Sequence, residues 1–241
     1  PQTGRNNALT EIRRGVATHL CGDQHLGVSV KHGIEGFRDG PYAFTNPALV
    51  NTIYGRWWWP ENEQAGGGEK IDGPLPWTGD YLDGLGNKVT MLAYANPKYA
   101  TMGELKKNRT SRADGYGLIR FNKSNNKVTF ECWPRFCDVS KGDSVQFPGW
   151  PISFQMEEND GRKPAGHLPM INFDVENPVV QVIEDATGEI LYTRRIQGKS
   201  FSAPVYAKGT YTVKAGLGKT DLWEKKSLSP GTKQLVNAQL K

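Results

Sequence analysis

The chain has 241 residues, 37% hydrophobic and 23% charged, an ordinary globular composition that supports one large or two modest domains and excludes a disordered protein. Its formal net charge of +5 is spread over interspersed Lys, Arg, Asp and Glu, without the clustered basic stripe that neutralises phosphates, so no nucleic-acid partner is expected. No apolar run approaches the ~18 residues of a membrane span and no charged-then-apolar leader opens the chain, so neither a membrane partner nor an export address is expected from this segment, whose Pro1 start is that of a fragment or processed chain.

Leu9, Ile12 and Val16 recur at helical spacing, with Glu11, Arg13 and Arg14 on the other side, and predict a short amphipathic helix from Asn6 to Ala17 whose last turn Gly15 weakens. From Thr18 the pattern changes to a buried strand running into Gly22, followed by Asp23-Gln24-His25-Leu26-Gly27. An extended backbone through this stretch puts His19, Cys21, Asp23 and His25 on one face, which suits a metal ion. The competing reading is that Gly22 breaks the alternation and the histidines are ordinary core or turn residues. Either way Asp23 and His25 fall at the carboxyl end of a strand, where open α/β sheets carry ligands. Val28, Val30 and His32 continue in an extended pattern.

Residues 41–60 are dense in aromatic side chains and end in Trp57-Trp58-Trp59. Three adjacent tryptophans cannot all face one core: a core wedge under a following loop is the favoured reading, a sugar- or base-stacking platform the sharper one. Arg56 beside them matches a phosphate or sulfate bidentately, or forms a plain salt bridge. Residues 61–87 read as a long glycine- and proline-rich connection. Inside it, Asp80 and Asp83 could hold a hard cation, although Asp and Gly are also what tight turns use.

From Lys88 the sequence is β-rich. Val89–Tyr94, Tyr116–Phe121 and Val128–Trp133 read as strands, the last two joined by a hairpin loop over 122–127, and Lys98–Asp114 as a polar excursion with one helical turn near Leu105. Pro134 and Pro151 are expected at strand ends or edges. Short strands over Val179–Ile183, Ile190–Ile196, Phe201–Val205 and Thr210–Ala215 predict a separate small β-sandwich over 172–228, and the polar tail 229–241 is expected to fray. Cys21, Cys132 and Cys137 form no C-x-x-C pair; one reading joins Cys132 to Cys137 and leaves Cys21 as a buried thiol or a ligand.

In this order, Gly22-Asp23-Gln24-His25-Leu26, Phe44 to Trp58 with Asn46-Pro47, Asn51 and Arg56, Gly79-Asp80 to Asn87, Gly115-Tyr116-Gly117, Glu131 to Arg135 and Phe147 to Pro151 resemble the C-terminal part of PhoD-like (alkaline phosphatase D-like) metallophosphatases, of the calcineurin-type metallophosphoesterase superfamily. Tyr192 to Ile196 and Gly209 to Val213 resemble the small β domain that follows the phosphatase domain in exported members, so the resemblance covers nearly the whole chain.

The resemblance implies an α+β, mainly β fold. Residues 1–171 would be the C-terminal part of a metallophosphoesterase β-sandwich with flanking helices, and 172–228 a small Ig-like β-sandwich. It implies calcium, manganese or iron ions that activate water for attack on a small phosphate-ester substrate, in a secreted or periplasmic protein. His25 matches the late metal-binding histidine of the superfamily, and Asp23 stands where many members carry another histidine, a harder ligand or a group that orients one. Arg56 is the weaker candidate for substrate binding. The earlier ligand motifs of the superfamily do not precede His19, and Gly79-Asp80-Tyr81-Leu82-Asp83 spells one of them on the wrong side of His25, which makes it a false match. One Asp and one or two His do not build a dinuclear site, so the segment alone is expected to be inactive. The reading from another class is a non-catalytic secreted binding protein that uses the tryptophan-rich segment and the C-terminal sandwich.

Overall fold

The computed structural model describes residues 2–49, 57–60, 68–98, 101–232 and 234–241. The protein is mainly β, with several sheets, and divides into two compact units, Pro1–Thr10 with Ala17–Gly161 and Glu11–Val16 with Arg162–Lys241. The division falls after Gly161, ten residues ahead of the boundary that composition indicates.

Helix α1 spans Gln2–Arg14, starting four residues earlier than its apolar periodicity predicts. It stops at Gly15, and Val16 turns the chain at φ 49°. Arg13 and Arg14 complement the helix dipole at this end. In the first unit, β1 (His19–Cys21), β2 (Val28–His32), β3 (Tyr42–Thr45), β4 (Gly79–Leu82) and β5 (Lys88–Tyr94) form a five-stranded sheet in the order β1-β3-β2-β5-β4. Its pairs are antiparallel except β1 with β3, which run parallel with Cys21 opposite Thr45. The parallel pair brings the carboxyl ends of β1 and β3 out side by side, so the segments that leave the two strands are neighbours.

Helix α2 (Met102–Lys107) is the expected turn around Leu105; Thr101 caps it by accepting from Glu104 N and donating to the Glu104 carboxylate. Then β6 (Gly115–Asn122), β7 (Lys127–Pro134) and β8 (Ile152–Gln155) form an antiparallel meander. Pro134 ends β7 and Pro151 precedes β8, positions where no ladder N–H is needed. Phe44, Ala93 and Ala95 from the larger sheet and its exit pack with Val128, Phe130, Cys132 and Phe154 from the meander and with Trp150. Burying each of these large aromatics contributes about 2–3 kcal/mol.

The second unit carries β9 (Gly166–His167), β10 (Met170–Phe173), β11 (Val179–Glu184), β12 (Ile190–Arg195), β13 (Ser200–Phe201), β14 (Pro204–Val205), β15 (Tyr211–Gly216), β16 (Trp223–Leu228) and β17 (Leu235–Ala238). They make sheets β12-β11-β15-β16, β13-β10-β17 and β14-β9. The tail does not fray as a polar segment: β17 pairs in parallel with β10, Val236, Ala238 and Leu240 are buried, and the Asp174 carboxylate accepts from Leu240 N at 2.8 Å. The alternation of these small apolar residues, on a strand with a distant partner, offsets the polar composition. The strand expected over Phe201–Val205 is split at Ser202-Ala203 between two partners, β10 and β9.

Two further expectations are corrected. Residues 61–87 are not a structureless connection throughout, since β4 lies within them and pairs with β5. All three cysteines are free: Cys132 is buried in the core, Cys137 is half-buried, and Cys21 is exposed rather than buried.

Candidate metal centre

The stretch His19 to His25 does not stay extended. Strand β1 ends at Cys21, and Gly22–His25 form a turn in which His25 N donates to Gly22 O at 3.5 Å. Asp23 and Gln24 are its tip, and His25 follows at φ 60°, a left-handed conformation that costs roughly 1 kcal/mol and that His tolerates better than most residues. The four-residue metal face therefore does not form. Asp23 and His25 sit together on the turn, while His19 and Cys21 belong to the strand.

His19 is turned to other work. Its Nδ1 lies 3.3 Å from His32 Nε2, and the two rings stack with centroids 5.6 Å apart. His32 Nδ1 lies 3.4 Å from Arg5 Nη2. An arginine can only donate, so Nδ1 of His32 accepts, its proton resides on Nε2, and that N–H donates to His19. Arg5 also donates to Gly33 O at 2.9 Å and Lys88 O at 3.0 Å, pinning α1 to the sheet. Burial, then the Arg5 charge and His19, lower the His32 pKa to about 3, so this ring is neutral.

Asp23 is exposed and His25 half-buried, and neither side chain has a hydrogen-bond or ion-pair partner among the described residues. A carboxylate and an imidazole left bare on one turn fit a metal ion as part of a ligand set. Among the described residues no group of three or more His, Cys, Asp and Glu comes together. Arg56 lies outside the described residues, as does Asn51.

Asp80 and Asp83 are committed elsewhere. Asp80 is not in a loop but buried in β4, where it accepts from Arg38 Nε at 3.0 Å and Thr90 Oγ1 at 2.5 Å. Asp83 ties the following turn, accepting from Leu85 N, Asn87 N and Asn87 Nδ2 at 2.8–2.9 Å. Hydrogen bonds of this number leave neither carboxylate waiting for a cation.

The tryptophans divide as their adjacency requires. Trp58 packs edge-on against Tyr81, its Nε1 donates to Trp77 O at 2.9 Å, and its main chain is bonded on both sides by the Asn96 amide. Trp59 is 63% exposed and leans on Trp77, centroids 5.0 Å apart, which in turn stacks on Tyr94.

Several of the remaining landmarks are closely packed with one another. Gly27, just after the turn, faces Cys132, Ala95 and Pro47 at distances that a Cβ could meet only with displacement. A Cβ on Gly115 would collide with Trp133 O, and one on Gly117 with the Phe44 ring. Glu131 is held by Arg120 and by Trp133 Nε1, Gln146 accepts from Cys132 N, and Trp150 Nε1 donates to Ser29 Oγ at 2.9 Å. Sequence reasoning places these residues in order without the contacts; it misses the Arg5–His32–His19 chain, for which only the β1-β3-β2 register supplies a signal. Among the described residues no helix is long and apolar enough to cross a membrane. No protein-family model, no curated protein and no solved structure matches the chain.

Proposed function

We propose that the first unit is the C-terminal part of a metal-dependent phosphoric ester hydrolase of the PhoD-like kind, a phosphatase or phosphodiesterase, with Asp23 and His25 among its metal ligands. The observation that carries this reading is the Gly22–His25 turn, on which a carboxylate and an imidazole have no partner among the described residues, while Asn46 and Ala48, tied in turn to Gly117 and Gly115, bond its flanks. Strand β1 adds support: it pairs on one side only among the described residues, and Leu20 on it is 47% exposed, as suits a sheet edge that further strands would cover.

His25 offers an imidazole nitrogen and Asp23 its carboxylate oxygens, and preceding sequence would contribute the other ligands. When bound, calcium, manganese or iron ions supply the water activation and charge neutralisation that phosphate-ester hydrolysis needs. Arg56 would hold a phosphate oxygen of a small ester substrate. Two donors do not complete a dinuclear site, so the chain alone is inactive. Nucleic acid and membrane have no part in the proposal, and the setting is secreted or periplasmic.

The second unit, in the same proposal, is an Ig-like β-sandwich. Supporting it, Tyr211 at the start of β15 donates its hydroxyl to Ala207 O, four residues upstream, at 2.8 Å, the tyrosine-corner contact of that architecture.

The test is hydrolysis of nitrophenyl phosphate mono- and diesters by the natural-length protein loaded with calcium, manganese or iron. His25→Ala is expected to lower the rate by at least about tenfold. Hydrolysis of neither ester, or full activity in His25→Ala, refutes the reading. A second reading, a non-catalytic secreted binding protein, is favoured by the exposed Trp59 face; metal-independent glycan binding that Trp59→Ala abolishes would support it, and its absence would count against it.

A further inference from the structure

The Gly22–His25 turn is clamped on both flanks by the segment that leaves β3. Asn46 N donates to Cys21 O at 2.8 Å, ahead of the turn, and Ala48 N donates to His25 O at 3.4 Å, behind it. The clamp is anchored in its turn to the start of β6. Gly115 N donates to Ala48 O at 3.1 Å, and Gly117 N donates to the side-chain Oδ1 of Asn46 at 2.6 Å. Asn46 Nδ2 then donates to Pro47 O at 2.7 Å, so both ends of the amide are used.

Three of the four clamp bonds are main chain to main chain and would form with almost any sequence. The fourth requires a side-chain acceptor of Asn length at residue 46. It also requires the absence of a side chain at 117, where a Cβ would meet Asn46 Oδ1 as well as the Phe44 ring. The Asn46-Pro47 and Gly115-Tyr116-Gly117 landmarks are thus two halves of one joint. That joint bears on His25 because a residue at φ 60° relaxes toward commoner conformations unless its neighbours hold it.

We propose that Asn46 is a positioning residue for the candidate metal pair: through Gly117 it fixes the turn that carries Asp23 and His25. The inference rests on the metal reading for its purpose and on the hydrogen bonds for its geometry, and the two are tested separately. Asn46→Ala removes the acceptor. Asn46→Asp keeps an oxygen for Gly117 N but sets a second acceptor against Pro47 O in place of the Nδ2 donor.

Amide hydrogen exchange of the full chain without metal reads the joint. Asn46→Ala is expected to speed exchange at Gly117 and Ala48 at least about tenfold, with the amides of β4 unchanged, and Asn46→Asp is expected to keep more protection at Gly117 than Asn46→Ala. Unchanged exchange in Asn46→Ala, or equal loss in the two variants, overturns the positioning role whatever the metal does. Should Asn46→Ala not fold, Asn46→Ser, whose oxygen is too short to reach Gly117 N, decides: faster exchange at Gly117 supports the role, and wild-type protection overturns it. Manganese titration, followed by paramagnetic broadening of the His25 amide, then reads the purpose. Affinity is expected to fall about tenfold or more in Asn46→Ala. No broadening at His25 in the wild type refutes the metal reading and leaves the exchange result standing.

Discussion

Protonation of His32 is a perturbation with a large electrostatic consequence in the first unit. The half-buried ring lies between Arg5, which donates to its Nδ1, and His19, which receives its Nε2 proton, so a second proton would meet a fixed guanidinium and lose an acceptor. Burial, Arg5 and His19 lower its pKa from 6.5 to about 3. Because the folded value lies below the unfolded one, the unfolded chain binds more protons in this range. The contribution of His32 is fully present above pH 6.5 and is lost as pH falls from there toward 3. The full span corresponds to a ceiling of about 5 kcal/mol, and between pH 7 and pH 5 the loss is about 2 kcal/mol. Six of the seven tryptophans lie in the first unit, so urea unfolding followed by fluorescence reports mainly on it. His32→Gln should be less stable than wild type at pH 7, and the gap should narrow by about 2 kcal/mol at pH 5. A constant gap, or a His32 ring signal that titrates near 6.5 in the folded protein, refutes the assigned hydrogen-bond chain.

Gly117→Ala should cost about 1–3 kcal/mol, because its Cβ collides with the Phe44 ring and with Asn46 Oδ1; a melting temperature equal to wild type would contradict that close approach. Asp80→Asn should lower stability by about 1–3 kcal/mol, since it removes the buried negative charge that Arg38 and Thr90 bond, and should leave manganese affinity unchanged; an altered metal titration would reopen a metal role for Asp80. A thiol reagent at neutral pH should modify Cys21 within the folded chain but reach Cys132 only on unfolding, because burial raises the Cys132 thiol pKa; early modification of Cys132 would contradict its place in the core.

What is legible in the sequence is local. The strands around Val30, Val89–Tyr94 and the hairpin from Tyr116 to Trp133 declare themselves by alternation and by a polar loop between them. The turn chemistry of Asp83 is equally visible. What is not legible depends on distant partners. Strand β16, Trp223-Glu224-Lys225-Lys226-Ser227-Leu228, is an edge with little alternation, and β17 is a strand only because β10 receives it. Asp80 reads as a turn residue until Arg38, 42 positions away, is found beside it. For the candidate site, residue types and order single out Asp23 and His25, but the extended geometry does not hold: Gly22 starts a turn, and His19 leaves the set for a partner thirteen residues on. Asn46 stands in the sequence only as one residue of an Asn-Pro pair, and its role appears when the parallel β1–β3 pair sets it beside Gly22.

In the proposed site the Asp23 carboxylate and the His25 imidazole of the Gly22–His25 turn hold a metal ion. Crystals of the natural-length protein grown with manganese test it most directly, through the anomalous scattering of the ion. The prediction is a peak about 2.0–2.6 Å from both an Asp23 carboxylate oxygen and a His25 ring nitrogen. A manganese peak elsewhere, with both side chains unligated, would contradict it.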